Sequence, residues 1–352
     1  MKPLSVAVVG AGHLGTIHTR LLQSRSDADV AVVVEPNPAA RQRMNETLNV
    51  PTVASIDELP QNIEAVLVAA PTSEHVHVAA PLLKQGLHVF VEKPLTATLT
   101  EAEQLVQLAA EHNCVLQVGH SERFNAGVRS AWPLLKSCRH IRAIRESGFP
   151  SRSLDVGVVF DLMIHEIDLV LSLKPGPIVQ LSAHGTTVVG PHEDIVSAHL
   201  VFANGLVADL HASRVSPTRE RSWQVVTDQG LVWIDLDSGT AQSALAAAEF
   251  NEVQGRVHQW PFDQRSEFAD QLFTDFLPKQ PMPVRSVNAI VDEHDEFVSA
   301  ICLQTPVSVD GVAGQDAVAL AEQIVASIGA PAWVRSHQQV VPKQHRDQAD
   351  AA

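Results

Sequence analysis

The sequence predicts an α/β protein in two parts: a doubly wound parallel sheet, then a second α/β region built on an antiparallel or mixed sheet. Three observations carry this. Short Val-rich runs at 4–9, 30–34, 65–69, 87–91 and 114–118 alternate with helix-like segments such as 14–25 and 100–112. That rhythm is expected of strands covered on both faces by crossover helices. Past residue 120 the rhythm changes to consecutive β-rich runs joined by short turns. The length, 352 residues, suits two domains at about 150 residues each.

In order, Val6–Val9 runs straight into glycines, which fits a buried strand better than a secretory leader. Thr100 followed by Glu103 has the spacing of a capping box at the start of the helix over 100–112. In the second part, strands are expected over 178–189, 195–202, 205–213, 222–227 and 231–236, with turns at Asn204-Gly205 and Gln229-Gly230. Helices are expected over 161–172, 264–277, 287–303 and 314–328, and the polar, Gln-rich stretch 336–352 is expected to be disordered.

Composition narrows the function. The net charge is -15, with 25 basic against 40 acidic residues, which argues against nucleic acid and anionic membranes as partners. No apolar run approaches the roughly 18 residues of a membrane span. Tyrosine is absent, so no chemistry here uses a phenol as acid or base. Cys114, Cys138 and Cys302 are isolated and odd in number, which fits a reducing cytoplasm and offers no metal-ligand spacing.

Four motifs carry chemistry. Gly10-Ala11-Gly12-His13-Leu14-Gly15 follows a strand and opens a helix. In that context Gly10 permits the tight turn, Gly12 lets the backbone approach a pyrophosphate, and Gly15 lets helix and strand pack closely. The helix N-terminus supplies free N–H groups to the phosphates. Glu35, at the end of the next strand, stands where a carboxylate takes the adenosine ribose hydroxyls, which favours NAD over NADP. Arg41 and Arg43 nearby would soften that preference. Glu92-Lys93-Pro94 ends the strand over 87–91, where ligands of a doubly wound sheet bind. Lys93 there can stabilise a developing alkoxide, although the local sequence equally suits a surface lysine. Asp161 and His165 lie four apart and His165 and Asp168 three apart, so on a helix the imidazole has a carboxylate on either side. That arrangement would support its charged form and suit a general base; a zinc reading lacks a further ligand at the right spacing.

Together these motifs resemble the glucose–fructose oxidoreductase, inositol dehydrogenase and MocA-type family, over roughly residues 4 to 330 and including Pro71-Thr72-x-x-His75 and the block GLHVFVEKPL. The resemblance implies an N-terminal Rossmann domain over 1–120 and an α/β domain over 121–313 with a large open, mostly antiparallel sheet. A helix at about 314–330 would pack back on the first domain. It implies NAD contacts from the glycine loop (His13 and Leu14 included), Glu35, Pro71, Thr72, His75, Glu92 and Lys93. It assigns Lys93, Asp161 and His165 to catalysis, with His165 as the base because no tyrosine is available. Many members have glycine where this chain has Met163, a side chain expected to reshape the site.

The stretch GHSERFN, residues 119–125, together with DLMIH, looks like the branch acting on nucleotide-linked amino sugars, with Arg123 and Asn125 among the substrate contacts. Residues 119–152 also hold seven basic and two acidic side chains, which would suit a diphosphate. The alternatives are a free polyol or monosaccharide dehydrogenase and a non-catalytic dinucleotide-sensing regulator. A large exposed sheet needs covering, so a homodimer or homotetramer is expected.

Overall fold

The structure, a computed structural model, describes residues 2–150, 156–285 and 288–328. Its first part holds β1 (Leu4–Val9), α1 (His13–Gln23), β2 (Ala28–Val34), α2 (Pro38–Leu48), β3 (Thr52–Val53), β4 (Ala65–Val68), α3 (His75–Lys84), β5 (His88–Glu92), α4 (Leu99–Glu111) and β6 (Leu116–Gly119). These strands form one parallel sheet in the order β3-β2-β1-β4-β5-β6. All residues of β1, β4 and β6 are buried, as covering on both faces requires. The strand order reverses between β1 and β4, so a crevice opens beyond their carboxyl ends.

The second part holds α5 (Ala126–Leu135), β7 (Cys138–Glu146), α6 (Ile164–Ser172), β8 (Ile178–Thr186), β9 (Ile195–Phe202), β10 (Val207–Ser213), β11 (Glu220–Thr227), β12 (Gly230–Asp235), β13 (Thr240–Leu245), α7 (Ala248–Val253), α8 (Phe262–Gln271), β14 (Lys279–Pro281), α9 (Ala289–Leu303) and α10 (Gly311–Ile328). Its sheet runs β14-β13-β12-β11-β7-β10-β9-β8. Every pairing is antiparallel except β7 with β10. Both expected turns form, with Gly205 at φ 87° and Gly230 at φ 141°.

Three readings change. The capping box lies two residues earlier: Glu101 N–H donates to the Thr98 hydroxyl and Thr98 N–H to the Glu101 carboxylate. The sequence carries two overlapping Thr-x-x-Glu spacings, and the earlier one brings Leu99 into the first turn. Strand β7 was not expected at all, because charges hide its alternation. Its Ile141, Ala143 and Arg145 are buried, and the intervening side chains face the other side. Helix α9 sends Phe297 and Val298 into the core shared by Leu4, Val6, Leu67 and Phe90 of the first sheet.

Helix α10 packs against both α4 and α6. Glu322 accepts the Leu99 N–H at 2.8 Å, and Val309 O accepts the Val118 N–H at 2.9 Å. Residues 329–352, which include the expected tail, lie outside the described residues. Among the described residues no helix is long and apolar enough to cross a membrane, and no cluster of three or more His, Cys, Asp or Glu side chains is arranged to hold a metal ion.

Candidate active site

The glycine loop begins the site. A Cβ on Gly10 would lie 2.5 Å from Ala69 O, and one on Gly15 would lie 2.0 Å from Gly10 O. Only glycine fits at either place. Gly12 differs, since a Cβ there would meet nothing within 4 Å. The space above it is open, and no side chain caps the α1 N-terminus. An uncapped helix start under an open backbone is a cradle for a pyrophosphate. His13 and Leu14 are exposed in the first turn. Glu35 stands at the rim, its two oxygens accepting the N–H groups of Ala11 and Asn37, both at 2.9 Å. Arg41 donates through Nη1 to the carbonyls of Glu35 and Pro36 at 2.7 and 2.9 Å.

Pro71 leads a short turn over Thr72–Glu74. His75, fully buried, sets one ring nitrogen 3.0 Å from Ala70 O and the other 2.9 Å from Pro94 O. Burial pushes its basicity down despite these carbonyls, and a neutral ring donates to one of them at a time. His75 therefore ties the end of β4 to the Glu92-Lys93-Pro94 loop.

The Glu92 side chain turns inward. One oxygen pairs with His18 Nε2 at 2.7 Å and the other accepts the Lys93 N–H at 3.2 Å. Burial raises the Glu92 carboxyl, but His18 and Lys93 outweigh it and hold the group below its ordinary range. His18 Nδ1 meets His294 Nε2 at 2.8 Å. His294 is pushed down to about 3 by burial and by the charges of His18 and Arg25. The chain Glu92–His18–His294 thus joins the lysine loop to α1 and α9. Sequence reasoning missed it; a signal was present in His18, which lies three residues past Gly15 on the same helix.

Lys93 reaches across to the second part. Its Nζ donates to Asp161 O at 2.6 Å and lies 3.5 Å from Asp161 Oδ1. Asp161 sits in a π-helical turn, Val159–Met163, that runs into α6. His165 is on the first turn of α6, with His120 edge-on at 6.4 Å between ring centroids. Its Nδ1 is buried without a partner among the described residues. The structure therefore brings Lys93, just past the end of β5, together with Asp161 and His165 at the start of α6.

The electrostatics of His165 overturn one expectation. Neither flanking carboxylate bonds the ring. Asp161 faces Lys93, and Asp168 is gripped by Arg123 through two bonds of 2.7 and 2.6 Å. Burial comes first, then the charges of Arg145, Lys93, His120 and Arg221, and together they push His165 well below the ordinary imidazole range. The imidazole is neutral. Spacing along a helix could not show this, because the cations come from β7, β11 and the loop after β5.

The basic stretch is also spent differently than its charge suggested. Arg123 pairs with Asp168, Arg129 with Asp292, and Arg139 with Asp228. Arg145 is wholly buried, with Nε on both Glu166 oxygens at 2.8 and 2.9 Å and Nη2 on Glu122 at 2.8 Å. Arg142 faces the outer side of the sheet, and Arg152 lies outside the described residues. Asn125 caps α5 by accepting the Gly127 N–H, and donates to Glu122 and Leu236 O. Arg123 and Asn125 thus already have internal partners. Met163 is fully buried in the core, away from solvent.

Comparison with known proteins agrees with this geometry. Residues 4–120 match the oxidoreductase family model described as an NAD-binding Rossmann fold, and residues 132–233 match the Gfo/Idh/MocA C-terminal domain. The chain is 30% identical to the UDP-N-acetylglucosamine 3-dehydrogenase of Acidithiobacillus ferrooxidans over 94% of this chain and 99% of that one. It is also 30% identical to the myo-inositol dehydrogenase Hyg17 of Streptomyces leeuwenhoekii, over 61% of this chain and 71% of that one. A solved structure of the Acidithiobacillus enzyme superposes with a TM-score of 0.80 at 27% identity, covering 93% and 98% of the two chains. With a nucleotide cradle at the switch point of the first sheet, a lysine, aspartate and neutral histidine beside it, and this full-length likeness, the chain belongs to the Gfo/Idh/MocA family of oxidoreductases and is an NAD-dependent dehydrogenase.

Proposed function

We propose that the enzyme oxidises a secondary hydroxyl of a nucleotide-linked amino sugar, with a UDP-N-acetylglucosamine-like substrate oxidised at C3. The observation that carries the chemistry is the Lys93 ammonium anchored 2.6 Å from Asp161 O beside the neutral His165. The substrate class is supported by the likeness to the Acidithiobacillus enzyme, which extends over 94% of this chain; the inositol dehydrogenase likeness covers 61%.

NAD held with its pyrophosphate at the glycine cradle would supply the two-electron acceptor. Gly10, Gly12 and Gly15 shape the cradle, the first turn at His13 and Leu14 would face the pyrophosphate, and Glu35 would receive the ribose hydroxyls. Pro71, Thr72, His75 and Glu92 would hold the loops that face the nicotinamide half. Lys93 donates to the reacting oxygen and stabilises its developing charge. His165 takes the hydroxyl proton on its ring, which is free to accept because it is neutral. Asp161 holds the lysine in place. Arg123 and Asn125 act as positioning residues: one fixes α6 through Asp168, the other fixes the loop before α5. The outer face of the second sheet is the expected contact of a homodimer or homotetramer.

A panel of UDP-sugars, free N-acetylglucosamine and myo-inositol, followed by NADH absorbance, tests the reading. UDP-N-acetylglucosamine should exceed the free polyols in kcat/KM by about a hundredfold. Turnover of inositol alone would move the substrate to the polyol class. NAD binding with no turnover on any sugar would make the protein a dinucleotide sensor.

A further inference from the structure

We infer that Arg221, supported by Arg219, forms an anion subsite beside His165 that receives the diphosphate of the substrate. This rests on the nucleotide-sugar reading above and names the residues that would distinguish such a substrate from a free sugar.

On β11, Arg221 pairs directly with Arg145 of β7. Two guanidiniums side by side on one face of a sheet repel each other unless both find counter-charge. Arg145 takes nearly all of it. Its three bonds to Glu166 and Glu122 leave its side chain 1% exposed.

Arg221 is left short. Its Nε is buried with no hydrogen-bond acceptor among the described residues. The nearest carboxylates stand off, with Asp237 Oδ1 at 3.4 Å from Nε and Glu122 Oε1 at 4.0 Å from Nη1. Asp237 is already held by Arg219 through contacts of 3.0, 2.9 and 2.7 Å. Two guanidiniums therefore share Asp237, and Arg221 is the one left without a hydrogen-bonded carboxylate.

The location suits a substrate phosphate. The Arg221 side chain is 27% exposed and that of Arg219 60% exposed, so solvent and ligands reach both. Arg221 is tied to α6 by geometry: it pairs across the sheet with Arg145, whose Nε bonds Glu166, the residue next to His165. The exposed end of the Arg221 guanidinium offers the paired N–H donors that phosphate oxygens accept well. In a nucleotide sugar the diphosphate follows the anomeric carbon, one ring away from the carbon being oxidised. A site with His165 at one end and Arg221 at the other matches that layout, whereas a free polyol has nothing to place on Arg221.

Arg221→Gln separates the possibilities. With UDP-N-acetylglucosamine, KM should rise about 10- to 100-fold, with kcat changed far less, since the contact is made equally in ground and transition states. Arg221→Lys, which keeps the charge and loses the fork, should fall between. NAD affinity should be unchanged in both. Calorimetric titration of the NAD-loaded enzyme with inorganic pyrophosphate tests the subsite independently of any sugar. Binding to wild type that weakens at least about tenfold in Arg221→Gln is expected. If wild type ignores nucleotide sugars but pyrophosphate binding still depends on Arg221, the substrate reading fails and the anion subsite stands. Equal pyrophosphate binding in wild type and variant, or none in wild type, overturns the subsite. Should Arg221→Gln melt before assay temperature, Arg221→Lys carries the same comparison.

Discussion

Replacing Arg145 by Met removes the guanidinium that holds the floor under His165. The side chain volume is largely kept, so the loss is electrostatic. Arg145 makes all the side-chain hydrogen bonds of Glu166 and one of those of Glu122, while Glu122 keeps its bond from Asn125 at 3.1 Å. Glu166 would then be a buried carboxylate with no cation. Breaking a buried pair from one side costs about 3–5 kcal/mol, a large share of the roughly 5–15 kcal/mol that stabilises an ordinary domain.

The sign of the pH dependence follows. Burial already raises Glu166 to about 6 against the pull of Arg145, and without that pull it rises further. A carboxyl raised in the fold binds more protons folded than unfolded, so it stabilises at low pH and loses that contribution as pH climbs through its folded value. Urea denaturation should show the full loss at pH 8 and a smaller one at pH 5.5. Arg145→Met/Glu166→Gln should be less destabilised than Arg145→Met alone. A loss below about 1 kcal/mol at pH 8, well short of the buried-pair cost, or an equal loss at both pH values, would refute the reasoning.

Lys93→Ala and His165→Ala should each lower kcat by about 10²- to 10⁴-fold while NAD affinity by fluorescence stays near wild type; full turnover in either variant removes that residue from its role. Glu35→Ser should weaken NAD by about tenfold, as loss of charged hydrogen bonds to the ribose requires, and an unchanged titration would end the ribose assignment. Acid stability should fall early: burial lowers His75, His88, His120, His165 and His294. The unfolded chain therefore gains protons that the fold excludes as pH drops below about 6.5, at up to about 1.4 kcal/mol per pH unit for each histidine. Glu293 and Glu166, raised by burial, oppose this with fewer groups, so the urea midpoint should drop between pH 7 and 5.5. A midpoint that holds or rises would count against the buried neutral histidines.

The parallel sheet was legible because its strands are uninterrupted Val-rich runs, and the glycine loop because Gly10 and Gly15 sit where no Cβ fits. The candidate catalytic residues were legible as residue types at a spacing. Strand β7 was not, since its inward Arg145 breaks the alternation that marks a strand. Nor was the Glu92–His18–His294 chain, whose members lie on three elements far apart in the sequence.

What the sequence determined by itself is what local sterics and periodicity encode: the alternation of strands and helices in the first part, the nucleotide cradle, and the set of groups available for proton transfer. What only the tertiary structure decided is how charge is distributed among them. Asp168 went to Arg123, Asp161 to Lys93, and Arg145 to two glutamates. His165 was left neutral among cations, and Arg221 was left without a hydrogen-bonded carboxylate. Coulomb and desolvation energies depend on distances across sheets and on burial, and neither is a property of residues adjacent in the chain.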